Sequence, residues 1–363
     1  MGTGTTGVAG DSSRAGRLAG LLESRAIGQI LVTNPVSIEY LTGFTGTNAA
    51  CLVSPDSCLF LTDPRYQEWV AEGFEGWDVE ILRGEWLPAL ASRLGPSTGI
   101  EDGHMTVRTE ARLIEKGPEG TSLVACGELI DGLRRVKDAG ELERIGEAAA
   151  LADAVLAEIL AEGLVGRTEA EVAGRITGRI REEGGEPSFP PIVASGPNSA
   201  SPHAEPSART IGRAESVILD LGARLDGYCS DCTRTVFTGS AGEGFSEVYD
   251  LVVEANDSAL DQAAAGVGCA ALDEVARGVI ERAGYGDRFT HGLGHGVGLE
   301  IHEAPRLGPR STEELLSGDV VTVEPGIYLP GDFGVRVEDL VVVGPEGLES
   351  NLSGHPKALL EAD

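Results

Sequence analysis

The sequence predicts an α+β protein in two parts: a small α/β domain, then a larger domain whose antiparallel sheet is covered on one face by helices. Three observations carry this. The chain has 363 residues, long for one hydrophobic core, with 24% charged and 41% hydrophobic residues, as in globular proteins. Its first third alternates short helical and strand patterns, as α/β domains do. From Asp138 onward, long helical periodicities alternate with apolar runs of strand length.

Taken in order, residues 1–13 are small and polar and read as a disordered leader. Residues 14–25 are amphipathic at helical spacing, 29–33 form a short apolar strand, and 49–53 and 58–61 flank the turn S-P-D-S as a β-hairpin. Pro64 then opens P-R-Y-Q-E-W-V, where proline suits the first turn of a helix. These pieces make the first domain, residues 14–132. Asp138 with Glu141 three residues later has the form of a capping box, and apolar and alanine positions from Leu142 to Leu160 recur at helical spacing. A long helix therefore opens the second domain, residues 133–363. A second helix, 169–183, starts after Thr168 as its cap and ends at Gly184-Gly185. Six prolines among residues 187–206 exclude a regular helix and leave extended chain leading into a loop that carries His203. Residues 216–221 and 228–237 read as strands joined by a turn through 223–227. Helices follow at 245–264 and 271–283, then strands at 320–324 and 334–343. No sequence repeat is evident.

The net charge of −30, with no basic stripe to offset it, argues against nucleic-acid binding. Lysine occurs only at 116, 137 and 357, so arginine supplies nearly all the positive charge. No apolar run is long enough to cross a bilayer, and no basic-then-apolar segment stands at the start. Six cysteines, at 51, 58, 126, 229, 232 and 269, are too sparse for a disulfide framework, so a reducing cytoplasm is the expected location. Cys229 and Cys232 form a C-x-x-C without a second pair and, lying in a β-like run, read as ordinary strand residues.

Residues 291–303, H-G-L-G-H-G-V-G-L-E-I-H-E, hold three of the six histidines, separated by glycines at 292, 294, 296 and 298. The glycines suit a backbone that approaches a ligand closely. The histidines supply neutral nitrogen ligands or proton-transfer groups. Asp220, Asp231, Glu324 and Glu338 are lodged in apolar strands, where a carboxylate must be neutralised. Arg234 and Arg336 are candidates for pairing with them. The alternative is metal: two divalent cations balance four carboxylates, with one histidine as a neutral fifth ligand. Asp220 and Asp231 stand on neighbouring strands of one hairpin, where a suitable register brings both to one face. Oxygen-dominated ligation with a single imidazole suits a hard or borderline ion such as manganese. His104 and His355 have no such neighbours and are expected at the surface.

In this order, D-L-G-x-x-x-x-G-Y-x-S-D-x-T-R-T, H-G-x-G-H-G-x-G-x-x-x-H-E, V-x-V-E-P-G-I-Y and G-V-R-V-E-D resemble the motifs of the Xaa-Pro dipeptidase and aminopeptidase P family. Those are metallopeptidases of the pita-bread fold, related to methionine aminopeptidase. The likeness is strong over residues 133–345. It is looser over the first 130 residues, where Y-L-T-G-F-T-G and L-T-D-P-R-Y resemble the family's creatinase-like N-terminal domain. The resemblance implies Asp220, Asp231, His295, Glu324 and Glu338 as ligands of two divalent ions, manganese first, with cobalt or zinc as alternatives. Asp231 and Glu338 would bridge the ions, Asp220 would hold one of them with both oxygens, and His295 and Glu324 would bind the other. His203, His291 and His302 match the family's substrate-side histidines, Arg336 its site arginine, and Tyr328 a tyrosine near the site. The implied activity is an exopeptidase cutting the Xaa-Pro bond of dipeptides, or at the N-terminus of short peptides, through a hydroxide shared by two ions. Glu324 would shuttle the proton, and His302 and His203 would donate to the oxyanion. A creatinase-like non-peptide C–N hydrolase and a peptide-binding non-enzyme are the alternatives. The implied partners are a peptide with proline second and, in a homodimer, another copy of the chain, with residues 63–66 a candidate contact.

Overall fold

The computed structural model describes residues 12–362, so residues 1–11 of the expected leader lie outside the described residues. The chain forms two compact units, the first through Arg134 and the second from Arg135.

The first unit is built on a six-stranded mixed sheet in the order Asp78–Ile81, Cys58–Thr62, Ala49–Val53, Gln29–Val32, Ser97–Ile100, Ser122–Ala125. The hairpin is in the register Val53↔Cys58, and the Ser54 amide donates to the Ser57 carbonyl at 2.8 Å across its turn. Helix Arg14–Ser24 starts where the Ser13 hydroxyl accepts from the Gly16 amide at 3.0 Å, and it buries Leu18, Ala19 and Leu22. Pro64 opens only a 3-10 turn, Pro64–Tyr66, and not the expected helix. Tyr66 and Trp69 both turn onto Phe44, with ring centroids 5.1 and 4.9 Å away, before Gly73 and Gly76 take positive φ. A run this short makes too few hydrogen bonds to offset helix nucleation.

The second unit repeats one arrangement twice, a pair of helices followed by a sheet. Ala139–Glu162 and Glu169–Glu182 pack on the sheet Ile192–Ser195, Ser216–Leu221, Cys232–Thr238, Leu360–Ala362. Glu243–Leu260 and Cys269–Arg282 pack on the sheet Glu303–Leu307, Gly294–Gly296, Val320–Val323, Asp339–Val343, Leu348–Asn351. Pairing in both sheets is antiparallel except between Cys232–Thr238 and Leu360–Ala362. Both helices of the first pair begin with complete capping boxes, Asp138 with Glu141 and Thr168 with Glu171, each satisfying two otherwise orphaned amides.

Side-chain parity then decides what each sheet aims where. Val217, Leu219 and Leu221 join Leu156, Ile159 and Val172 in one core. Val321, Val323, Val335 and Val337 join Val252, Ala276 and Ile280 in the other. The alternate residues Asp220, Glu324, Arg336 and Glu338 therefore face away from the helices, and all four line one cavity.

The helix expected at 245–264 spans Glu243–Leu260, and three strand and turn readings also differ from expectation. The turn 223–227 narrows to Asp226-Gly227, both at positive φ (46° and 87°), because Ala223–Leu225 and Tyr228–Cys229 pair on either side of it. Asp-Gly is the pair that such a two-residue hairpin turn selects. The strand 228–237 breaks at 230–231, and 334–343 breaks at 337–338. Asp231, Glu324 and Glu338 thus sit at strand ends and only Asp220 lies within a strand. Leaving the ladder at these points lets the backbone turn the carboxylates toward one another. All six cysteines are buried and none is in a disulfide; Cys229 ends one strand and Cys232 starts the next, as expected. No helix among the described residues is long and apolar enough to cross a membrane.

Candidate metal centre

Asp220 opposes Thr233 across the antiparallel pair and shares its side of the sheet, and Asp231, just outside the strand, lines the same cavity as Asp220. Asp231, His295 and Glu338 bring potential ligand atoms within 4.8 Å of one another. His295 Nε2 is 3.6 Å from Asp231 Oδ2 and 3.5 Å from Glu324 Oε1, too far for hydrogen bonds and close enough for a shared ion. His295 Nδ1 lies 3.1 Å from the Gly296 carbonyl, which can only accept, so Nδ1 carries the proton and Nε2 presents a bare lone pair to the carboxylates. Burial brings its pKa down to about 4 and keeps the ring neutral.

The carboxylates are poorly satisfied. Asp220 Oδ1, Asp231 Oδ1 and Glu338 Oε1 are buried without a hydrogen-bond partner. Burial, reinforced by Glu338, Asp220 and Glu324, pushes the Asp231 carboxyl well above its ordinary range. Burial, with Glu324 and Asp220, does the same to Glu338, and burial lifts Glu324 to about 7. Of the two arginines expected to compete for these groups, Arg336 does, its Nη2 lying 2.5 Å from Asp220 Oδ2. Arg234 points to the opposite side and pairs with Asp339 at 2.9 Å. One arginine leaves three carboxylates uncompensated. The orphaned oxygens and the bare imidazole nitrogen form a donor set that fits divalent cations, which supply the missing charge and the missing bonds together.

His203, His291, His302 and Arg336 line the same cavity, of about 780 Å³, as the carboxylates. His203 is exposed on the loop after Gly196–Ala200, and the His302 ring stands 4.3 Å from that of His295, centroid to centroid. His291 spends both nitrogens on protein. Its Nδ1 donates to the Gly292 carbonyl at 2.8 Å, so Nε2 accepts from the Tyr328 hydroxyl at 2.9 Å. That hydroxyl in turn accepts from Arg336 Nη1 at 2.9 Å. Tyr328 is buried behind the cavity wall, and burial pushes its hydroxyl up to about 12. The result is a braced chain from His291 through Tyr328 and Arg336 to Asp220. Arg306 and Arg310, which sequence reasoning gave no role, also line the cavity. His104 is exposed, as expected. His355 is not a surface residue: it is half-buried, because its carbonyl is an acceptor for the buried Arg234, at 3.1 Å from Nε and 2.6 Å from Nη2.

Several supporting residues escaped sequence reasoning. The Thr233 hydroxyl donates to Glu338 Oε2 at 2.7 Å, and the Thr322 hydroxyl accepts from the His295 amide at 3.1 Å. Glu169, fully buried, accepts from the amides and hydroxyls of Ser195 and Ser207 and from the Asn198 side chain, and so shapes the loop leading to His203. Lys137 and Glu303 form a buried ion pair at 2.7 Å beside His302. Asp273 accepts from the Leu293 amide at 3.0 Å, while Arg277 donates to the Phe289 and His291 carbonyls at 2.8 Å each. Only this last pair had a signal, its i,i+4 spacing on a helix.

The glycines of 291–303 let neighbouring backbone approach closely, and Gly292 and Gly294 also line the cavity. A Cβ on Gly294 would collide with the Thr322 carbonyl oxygen, and one on Gly296 with that of Ala304. The strand carrying His295 is wedged between two neighbours that leave no room for a side chain. Gly294→Ala is expected to cost roughly 1–3 kcal/mol of stability, read from the midpoint of denaturant unfolding; an unchanged midpoint would show that the strand gives way freely.

Residues 143–345 match the model of Metallopeptidase family M24, and residues 14–136 that of the Creatinase/Prolidase N-terminal domain. The chain is 35% identical over 349 residues to Uncharacterized peptidase YqhT of Bacillus subtilis (strain 168), an alignment spanning 95% of this chain and 98% of that protein. Its structure is similar to that of an Xaa-Pro dipeptidase from Bacillus anthracis, with a TM-score of 0.91 and 36% identity over 96% of this chain and 98% of that one. It is also similar to an X-Pro aminopeptidase from Thermotoga maritima MSB8, with a TM-score of 0.88 and 33% identity over 96% of this chain and 100% of that one. Matched over more than half its length by the peptidase model, and alike in fold to solved peptidases from end to end, this chain belongs to metallopeptidase family M24, a pita-bread metallopeptidase domain preceded by a creatinase/prolidase N-terminal domain.

Proposed function

We propose that this metallopeptidase hydrolyses the Xaa-Pro bond of dipeptides, with Asp220, Asp231, His295, Glu324 and Glu338 holding two divalent ions. The observation that carries the reading is that Asp231, His295 and Glu338 bring ligand atoms within 4.8 Å of one another in a cavity where Asp220, Asp231 and Glu338 each bury an oxygen without a hydrogen-bond partner. When bound, the ions neutralise the carboxylates and make a water nucleophilic at neutral pH. Glu324, one oxygen of which is not held by Thr322, takes the proton from the attacking water and passes it to the leaving proline nitrogen. His302 and His203 donate to the scissile carbonyl oxygen as it becomes negative. Arg336 keeps Asp220 in place, and His291, both nitrogens committed, positions Arg336 through Tyr328. Manganese as the resident ion, with cobalt or zinc as substitutes, completes the proposal, together with a cytoplasmic location, a homodimer touching at residues 63–66, and a domain boundary near residue 132.

Arg306 and Arg310 place positive charge on the cavity wall, suited to the free carboxylate that a dipeptide presents immediately after proline. This favours a dipeptidase over an aminopeptidase for longer peptides, the activity in the name of the Thermotoga relative. Rates on Ala-Pro and Ala-Pro-Ala at saturating Mn2+ are the test. Ala-Pro is expected to be cleaved at least roughly 10-fold better, the worth of one charged hydrogen bond. The reverse preference would assign the aminopeptidase activity, and inactivity of metal-loaded protein on both would overturn the peptidase reading.

A further inference from the structure

Behind the ligand-bearing strands, on the side away from the cavity, lies a second buried charge cluster that the chemistry does not use. Arg234, 2% exposed, alternates with Thr233 and Thr235 and so projects opposite to them. Its Nη1 donates to the Thr233 carbonyl at 3.0 Å and to the Glu338 carbonyl; its Nη2 binds Asp339 Oδ1 at 2.9 Å. Asn256, fully buried, donates from Nδ2 to the Val323 carbonyl at 2.7 Å and reaches the Val337 carbonyl at 3.5 Å. Val323 and Val337 immediately precede Glu324 and Glu338. Lys357 links Asn256 to the aspartate that holds Arg234, with Nζ 2.8 Å from Asn256 Oδ1 and 3.0 Å from Asp339 Oδ2, and it also pairs with Asp257. The segment bringing Lys357 here is itself tied down. Ser353 Oγ accepts from the Leu340 amide at 2.9 Å, the Gly354 amide donates to Asp153 at 2.6 Å, the His355 carbonyl takes Arg234, and the Lys357 carbonyl accepts from Tyr249 at 3.1 Å.

A buried arginine–aspartate pair is no better for stability than apolar residues of the same shape. What this cluster does that apolar packing does not is grip the backbone carbonyls at Thr233, Val323, Val337 and Glu338, beside three of the proposed ligands. We propose that residues 353–357, acting through Arg234, Asn256 and Asp339, form a clasp that sets the spacing of the ligand-bearing strands, and that Lys357 is a positioning residue for metal binding. The proposal rests on the ligand assignment above.

Lys357→Met in the full chain is the test, since Lys357 is only half-buried and its loss leaves the Arg234–Asp339 pair intact. Mn2+ affinity, measured by competition with a chromophoric chelator, is expected to fall about 10-fold, as for loss of other partners behind metal ligands. The melting temperature of the chelated protein should change less than that of the Mn2+-loaded protein, and Lys357→Arg should restore most of the affinity. Unchanged Mn2+ affinity, or an equal drop in both melting temperatures with no change in affinity, would overturn the clasp. Asp231→Asn separates the two readings. If it still binds Mn2+ as the parent does, the ligand assignment fails; if it loses Mn2+ while Lys357→Met keeps it, only the clasp fails.

Discussion

Asp231→Asn is expected to lower kcat/KM on Ala-Pro by at least about 10³-fold, because it removes about 4 kcal/mol of metal-derived stabilisation of the transition state. The substitution is nearly isosteric, so packing around a side chain only 6% exposed is retained. What changes is one charge and one acceptor in the tightest part of the cluster, where Asp231 lies with His295 and Glu338. The same substitution should have the opposite effect on the protein without metal. Without metal, Asp231 is a buried carboxyl crowded by Glu338, Asp220 and Glu324, and its burial carries a cost that an amide does not, so the chelated variant should melt higher than the chelated parent. Loss of activity together with a gain in metal-free stability is a signature that mere misfolding cannot produce. Steady-state rates, elemental analysis and two melting curves read it; full metal content with activity within tenfold of the parent would contradict it.

The second large effect is a stability gap between loaded and chelated protein that widens with pH. Glu324, at about 7 against an ordinary 4.5, and Asp231 and Glu338, also raised, hold protons in the folded state that the unfolded chain has released. The folded state binds more protons, so stability falls as pH rises through the folded values. His291 and His295, held at about 4 by burial, contribute with the opposite sign, lowering stability as pH falls from 6.5 toward 4. Above pH 6.5 the unfolded chain loses the rest of its histidine protons within about one pH unit, so from 6.5 to 8.5 the histidine contribution is small and opposite in sign to that of the carboxylates. Mn2+ at about 1,000 times its dissociation constant stabilises by about 4 kcal/mol, on the order of 10 °C for a domain of this size. Melting temperatures of both forms at pH 6.5 and 8.5 test this. The chelated protein should be the less stable at 8.5; equal melting of the two forms throughout would remove the case for a cation in the cluster.

The four carboxylates were legible because each breaks an apolar run, an arrangement that burial penalises unless something compensates. The helix starts were legible because Asp138–Glu141 and Thr168–Glu171 are local devices. What escaped depends on contacts distant in sequence. T-R-T offers an arginine beside Asp231, yet strand parity sends Arg234 to the back and leaves the site to Arg336, which comes from another strand. The glycines signalled close approach, but not that Gly294 and Gly296 also meet the protein's own backbone at Thr322 and Ala304. Glu169 looked like any acidic residue in a first helical turn, and only the folded loop shows five protein groups donating to it. The twofold helix-pair-and-sheet arrangement left no evident sequence repeat, since each half needs only a pattern of burial and the two halves present different side chains to the cavity.

Whether four carboxylates and one imidazole hold two ions is decided most directly by titrating chelated protein with Mn2+, counting bound metal by elemental analysis and following the rate on Ala-Pro. Two ions per chain at saturation are predicted, with the rate reaching its plateau only as the second is bound. A single bound ion at full activity, or full activity with none, would contradict the dinuclear site.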